Sequence, residues 1–127
     1  MFAANSILFV PGSRPERIAK ALGSAADCVC IDLEDAVAPA DKDSARDSVL
    51  AALPQLDRHR VAVRINGTMT RAGLKDIIAL AESGHAPALL LVPMVEHESE
   101  IVQLARVLDN PATQLVPLVE TVAGLRR

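Results

Sequence analysis

Apolar residues are gathered along this chain into short, nearly continuous runs, and between the runs they recur at helical spacing. The runs are residues 7–10 (I-L-F-V), 28–33 (C-V-C-I-D-L), 61–65 (V-A-V-R-I), 88–92 (A-L-L-L-V) and 115–119 (L-V-P-L-V). Their shortness and their Val, Ile and Leu content predict strands buried on both faces. The helical stripes between them are Ile18, Ala21, Leu22 and Ala25, then Ala45, Val49, Ala52, Leu53 and Leu56, then Leu74, Ile77, Ile78 and Ala81, then Ile101, Leu104, Ala105 and Leu108. Terminal signals agree with these stripes. Ser13 and Glu16 have capping-box spacing around Pro15, and Asp41 and Asp43 suit a helix start after Pro39. Thr70 can cap the third helix, Gly84 lies just past its end, and Asn110 with Pro111 stops the fourth.

Strand and helix therefore alternate with ordinary connections, which predicts an α/β fold on a parallel sheet with every strand's carboxyl end on one edge. Because a (β/α)8 TIM barrel takes about 250 residues, the five strands and four to five helices amount to its first half. Residues 1–127 are read as one partial barrel domain. A five-stranded flavodoxin-like domain is a weaker reading.

Composition narrows the class. The 127 residues are 50% hydrophobic with a net charge of -3, enough for one core and too acidic for a nucleic-acid surface. There is no Trp or Tyr to stack on bases. Cys28 and Cys30, two apart in one predicted strand, read as reduced core residues. No apolar run reaches the roughly 18–20 residues that cross a bilayer, and the amino terminus lacks a signal peptide's basic start, so a cytoplasmic protein is expected.

The chemistry is expected where strands end. Residues 29–37 read V-C-I-D-L-E-D-A-V; by alternation Cys30, Asp32 and Glu34 share one face, opposite Val29, Ile31 and Leu33. The same parity sets Arg64 and Asn66 opposite Val63 and Ile65, and Glu120 opposite Val119. With apolar faces on the helices, Asp32, Glu34, Arg64, Asn66 and Glu120 would converge at one rim. Such oxygen donors suit Mg2+, and Arg64 could grip a carboxylate bidentately. An ion pair of Arg64 with Glu34 or Asp32 that only fixes the sheet is the competing reading. The Gly12 to Pro15 turn is either a phosphate site helped by Arg14, Arg17 or Lys20, or a capped helix with solvated charges. His59, His85 and His97 read as surface residues, and Glu96, Glu98 and Glu100 as a solvated helix start.

Four stretches, L-F-V-P-G-S-R-P-E-R from Leu8, D-L-E-D-A-V from Asp32, V-R-I-N from Val63 and L-V-E-T-V-A-G-L from Leu118, together resemble the citrate lyase beta-subunit family of the HpcH/HpaI aldolase group. The resemblance implies a Mg2+-dependent barrel that makes or breaks a carbon–carbon bond beside a CoA thioester of citryl-CoA or malyl-CoA type, giving acetyl-CoA and a 2-oxo acid; lyase and thioesterase outcomes both remain open. It implies Arg64 as the arginine holding the keto acid and Glu120 as the first metal carboxylate. Glu34 and Asp35 would position water beside the metal, and Arg14 and Lys20 would lie near CoA. The family's second metal-binding aspartate belongs to a strand after Glu120 that this sequence does not include. A non-catalytic half-barrel is therefore the alternative, completed either by a further copy in a homo-oligomer or by the remaining half of the barrel.

Overall fold

The computed structural model describes residues 4–126. The five apolar runs form β1 (Ile7–Pro11), β2 (Cys28–Asp32), β3 (Val61–Arg64), β4 (Leu89–Val92) and β5 (Gln114–Pro117). The intervening helices are α1 (Pro15–Leu22), α2 (Lys42–Ala52), α3 (Arg71–Ser83) and α4 (Glu98–Leu108), followed by the single turn α5 (Val122–Leu125). All strand pairs are parallel, in the order β1-β2-β3-β4-β5. Each strand thus lies beside its neighbour in sequence, which sets aside the flavodoxin-like order 2-1-3-4-5.

The two sheet faces differ in a way that decides the architecture. Val29, Ile31, Val61, Val63, Leu90 and Val92 pack with Ile18, Val49, Ile77, Leu80 and Leu104 of the helices. Cys28, Cys30, Ala62, Leu89 and Leu91 form a separate cluster, joined by Val116 and Leu118 and by no helical residue. Helices on one face and strand side chains alone on the other is the arrangement of half a (β/α)8 barrel. Each fully buried Val, Leu or Ile on the helix side contributes about 1.5–3 kcal/mol, so this layer holds the rim in place. Both cysteines are free thiols, and burial pushes the Cys30 thiol well up, so it is packing rather than a nucleophile. Ile7, Leu8 and Phe9 on β1 stay exposed, as do Val119, Val122 and Leu125 beyond β5. These are apolar edges that a complete barrel would cover.

Several local expectations are corrected. No side chain caps α1, whose N-cap is Arg14: the Arg14 amide donates to the Pro11 carbonyl, so the tight turn takes up Ser13 before the helix begins. The Thr70 cap does form, its hydroxyl accepting from Gly73 N at 3.0 Å, and Gly84 closes α3 at φ 71°. The buried face of α3, however, is Gly73, Asp76, Ile77 and Leu80, while Leu74 and Ile78 are about half exposed. The helix is rotated because Gly73 lies directly on the preceding loop, where a Cβ would stand 1.9 Å from the Gly67 carbonyl oxygen. Nor is Glu100 solvated. It accepts the amides of Glu96 and His97 and the Thr68 hydroxyl, closing a capping box with His97.

Candidate active site

The site is built on one rung of the sheet. Asp32 and Arg64, the last residues of β2 and β3, are register partners. Parallel pairing therefore sets a carboxylate and a guanidinium side by side on the face without helices. Arg64 donates Nε to Asp32 Oδ1 at 2.8 Å and Nη2 to Oδ2 at 2.7 Å, a two-pronged pair with side-chain exposures of 16% and 2%. The guanidinium carbon lies 5.0 Å above the Phe9 ring, so an aromatic face supports it from below. Asp32 also accepts the amides of Glu34 and Ala36 at 2.9 and 3.0 Å. Burial raises its proton affinity, but these four donors outweigh it and hold the carboxyl below its usual range. The same bonds push the Arg64 pKa up, so the pair is ionised at neutral pH.

The ion pair of the competing reading therefore forms: Arg64 grips a carboxylate bidentately, and the carboxylate is the chain's own. Asp32 anchors the arginine and lies too fully engaged to ligate a metal. Two of the five guanidinium N–H groups are engaged, and the other three make no hydrogen bond among the described residues. They remain for a second anion.

Beyond β2 the strand stops, yet Glu34 stays beside the arginine. Its Oε1 is 3.5 Å from Arg64 Nε, whose N–H already goes to Asp32, and it is a buried oxygen with no hydrogen-bond donor among the described residues. Burial, reinforced by Asp35, Glu120 and Asp32 against the pull of Arg64, raises the Glu34 pKa. Asp35 and Glu120 are exposed. Glu120 accepts the Met94 amide through Oε2 at 3.1 Å, and its Oε1 accepts no hydrogen bond among the described residues. Met94 itself sits at φ 57°, a left-handed conformation that costs energy outside glycine and recurs at functional loops.

Asn66 departs from the expected convergence. With β3 ending at Arg64 the alternation ends too, and the Asn66 amide and carboxamide both donate to Asp76 of α3, at 2.8 and 2.7 Å. It still borders a groove of about 520 Å³ that runs over the strand ends past Glu34, Asp35, Lys42, Thr68, Met69 and Met94. Lys42 was not singled out by sequence. Its ammonium donates to the carbonyls of Leu33, Glu34 and Val37 at 3.0, 2.8 and 3.1 Å and so clamps the acidic loop. The one signal for it is its placement, with Arg46, at i and i+4 of the helix that follows that loop.

The expected phosphate contacts separate. Arg14 and Arg17 border a second groove with Ser13, Ser44 and Ser48, while Lys20 lies in the last turn of α1, outside that lining.

As a magnesium site the rim offers three acidic side chains with oxygens that accept no hydrogen bond among the described residues, Glu34, Asp35 and Glu120. Among the described residues no group of three or more His, Cys, Asp or Glu is arranged to hold a metal. Mg2+ is commonly held by one or two carboxylates plus water and substrate oxygens, so the donors fit the ion as part of its shell. The orphaned Glu34 oxygen is the observation that favours a cation or a bound water there.

Residues 5–126 match the HpcH/HpaI aldolase/citrate lyase family. The L-malyl-CoA/beta-methylmalyl-CoA lyase of Cereibacter sphaeroides is 35% identical over 93% of this chain and 41% of its own length. A citrate lyase beta subunit from Mycobacterium tuberculosis, solved with oxaloacetate and magnesium, superposes with a TM-score of 0.80 at 41% identity, covering 96% of this chain and 50% of that one. The protein CitE of the same organism, solved with magnesium, acetoacetate and coenzyme A, gives 0.81 at 40% identity over 98% and 43%. The chain spans about half the length of these solved relatives and less of the curated lyase. On its fold, the motifs at its strand ends and this match over nearly all its residues, the chain belongs to the HpcH/HpaI aldolase/citrate lyase family.

Proposed function

We propose that this chain carries the keto-acid and first-metal part of a Mg2+-dependent carbon–carbon lyase acting on a CoA thioester of citryl-CoA or malyl-CoA type, with acetyl-CoA and a 2-oxo acid as products. The observation that carries the reading is Arg64: pinned by Asp32, backed by Phe9, with three N–H groups unengaged among the described residues and the orphaned Glu34 oxygen alongside. A guanidinium fixed in this way binds a planar carboxylate without ordering itself first.

In the cleavage direction the substrate hydroxyl gives its proton to a base, its C–O becomes the carbonyl of the 2-oxo acid, the electrons of the breaking C–C bond pass to the carbon beside the thioester as an enolate, and that carbon takes up a proton to become the methyl group of acetyl-CoA. Arg64 holds the carboxylate next to the forming carbonyl and favours the charge that develops there. Glu120 would hold the metal directly, and Glu34 and Asp35 would orient its waters. Mg2+ supplies Lewis-acid polarisation of the substrate oxygen when bound. Arg14, which borders the second groove, would meet CoA phosphates there, and Lys20 would meet only a part of CoA extending along α1. Residues 1–127 act in this reading as the first half of the barrel. The other half comes from the rest of a longer polypeptide or from a homo-oligomeric partner, and a cytoplasmic location suits the substrates. Among the described residues no helix is long and apolar enough to cross a membrane.

The Asp32–Arg64 pair, which ties β2 to β3 within the chain, favours a second reading, a half-barrel that binds without turnover. Incubation with malyl-CoA or citryl-CoA and titration with oxaloacetate, each with Mg2+ or with EDTA, separate the two. Mg2+-dependent release of acetyl-CoA and 2-oxo acid, lost in Glu120→Gln, supports the lyase; Mg2+-dependent oxaloacetate binding without cleavage selects the binding half; neither would overturn both.

A further inference from the structure

The groove's two loops are held from beneath by one face of α2. Lys42 clamps the loop after β2 through three carbonyls. One helical turn on, Arg46, with a side chain only 8% exposed, donates Nε to Asp76 Oδ1 at 2.6 Å and Nη1 to Asp43 at 2.7 Å. Asp76, 1% exposed, uses its other oxygen to accept both the backbone and the side-chain nitrogen of Asn66. Asn66 opens the loop after β3, and Gly67, Thr68, Met69 and Thr70 continue it along the groove wall.

This pair is an uneconomical way to join two helices. Replacing a buried ion pair by apolar side chains of similar volume is often neutral or stabilising, and Val49, Ile77 and Leu80 already pack the helix layer to the sheet. What apolar residues cannot do is fix the Asn66 backbone, and the pair does so from the helix side, two residues after Arg64. Gly73, on the same face of α3 as Asp76, packs on the Gly67 carbonyl and holds the same loop.

We propose that Asp76, oriented by Arg46, is a positioning residue for the groove: it sets the loop after β3, so the wall facing Glu34 and Met94 is formed before a ligand arrives. The proposal rests on the lyase reading only for the identity of the ligand. The test uses the charge-free double variant Arg46→Met/Asp76→Leu, with Asp76→Asn as the variant that keeps volume and one acceptor should the double variant not fold. Two quantities are read by NMR: amide hydrogen exchange at residues 66–70 against the β2 amides, and titration with oxaloacetate in the presence of Mg2+. The expected result is exchange at least about tenfold faster at residues 66–70 while β2 protection is kept, with oxaloacetate affinity lower by about 10–100-fold, as for other groups that orient a site from behind. A merely structural role would move both sets of amides together. Unchanged protection at residues 66–70, or a loosened loop with undiminished affinity, would overturn the proposal. A wild-type chain that binds no oxaloacetate sinks the lyase reading instead, and exchange alone then decides whether Asp76 positions the loop.

Discussion

Asp32→Ala is the substitution that tests the rim most severely. The carboxylate accepts four hydrogen bonds, from Arg64 Nε and Nη2 and from the amides of Glu34 and Ala36, and is 2% exposed. Removing it leaves a guanidinium that is 16% exposed, with Glu34 at 3.5 Å as its remaining close anion. Breaking a buried pair by deleting one partner costs about 3–5 kcal/mol. Partial compensation by Glu34 and some access of water to Arg64 place the expected loss near the lower end, about 3 kcal/mol, or roughly two powers of ten in the folding constant. A domain stable by about 5–15 kcal/mol should survive this, visibly weakened. The assay is urea unfolding followed by far-UV circular dichroism, because the chain has no Trp or Tyr for a fluorescence signal. The pH dependence supplies a second check. The folded pKa of Asp32 lies below the ordinary carboxyl value of 3.8. Its contribution is therefore complete above that value and lost as pH falls through the lower folded one. A variant within about 1 kcal/mol of wild type at neutral pH would refute the assignment of Asp32 as the anchor of Arg64.

Glu34→Gln should act in the opposite sense: because the folded pKa is raised above 4.5, the ionised carboxyl costs the fold stability at neutral pH. Thermal melts should show a higher Tm for the variant at pH 7 and a gain that disappears below pH 4.5. Gly73→Ala drives a methyl into the Gly67 carbonyl at 1.9 Å and the Asn66 carbonyl at 2.7 Å, so urea unfolding should show a loss of about 1–3 kcal/mol or more. Lys42→Met removes three charge-assisted bonds to one loop, and a loss of roughly 1.5–3 kcal/mol with faster amide exchange at residues 34–37 is expected.

The five strands were legible because runs such as V-C-I-D-L and L-L-L-V are short, apolar and separated by helical stripes, whereas their neighbour-to-neighbour order was not, since alternating helices suit the flavodoxin-like order as well. The partnership of Asp32 with Arg64 was legible only as one of two alternatives, since parity places both side chains on one face without saying which acid the arginine takes. Parity failed at Asn66 for a plain reason. Alternation is a property of strands, and β3 ends two residues earlier, at a point no local signal marks. The rotation of α3 was missed because Leu74 and Ile78 look like core residues, whereas the helix is set by a glycine contact and a buried aspartate, Gly73 and Asp76, that an apolar stripe cannot reveal. Lys42 and Arg46 read as ordinary helix cations until the loops they hold are in view. Phe9 was assigned only to an apolar run, since its approach to Arg64 crosses β2 and depends on register.

The most direct measurement is calorimetric titration of oxaloacetate into the chain with and without Mg2+, for wild type and for Arg64→Lys. A lysine retains the charge but cannot hold Asp32 and a second carboxylate with one planar fork. The account predicts a Mg2+-dependent binding heat in the wild type that is lost, or weakened by at least about tenfold, in the variant. No heat in the wild type, or equal affinity in the variant, would contradict it.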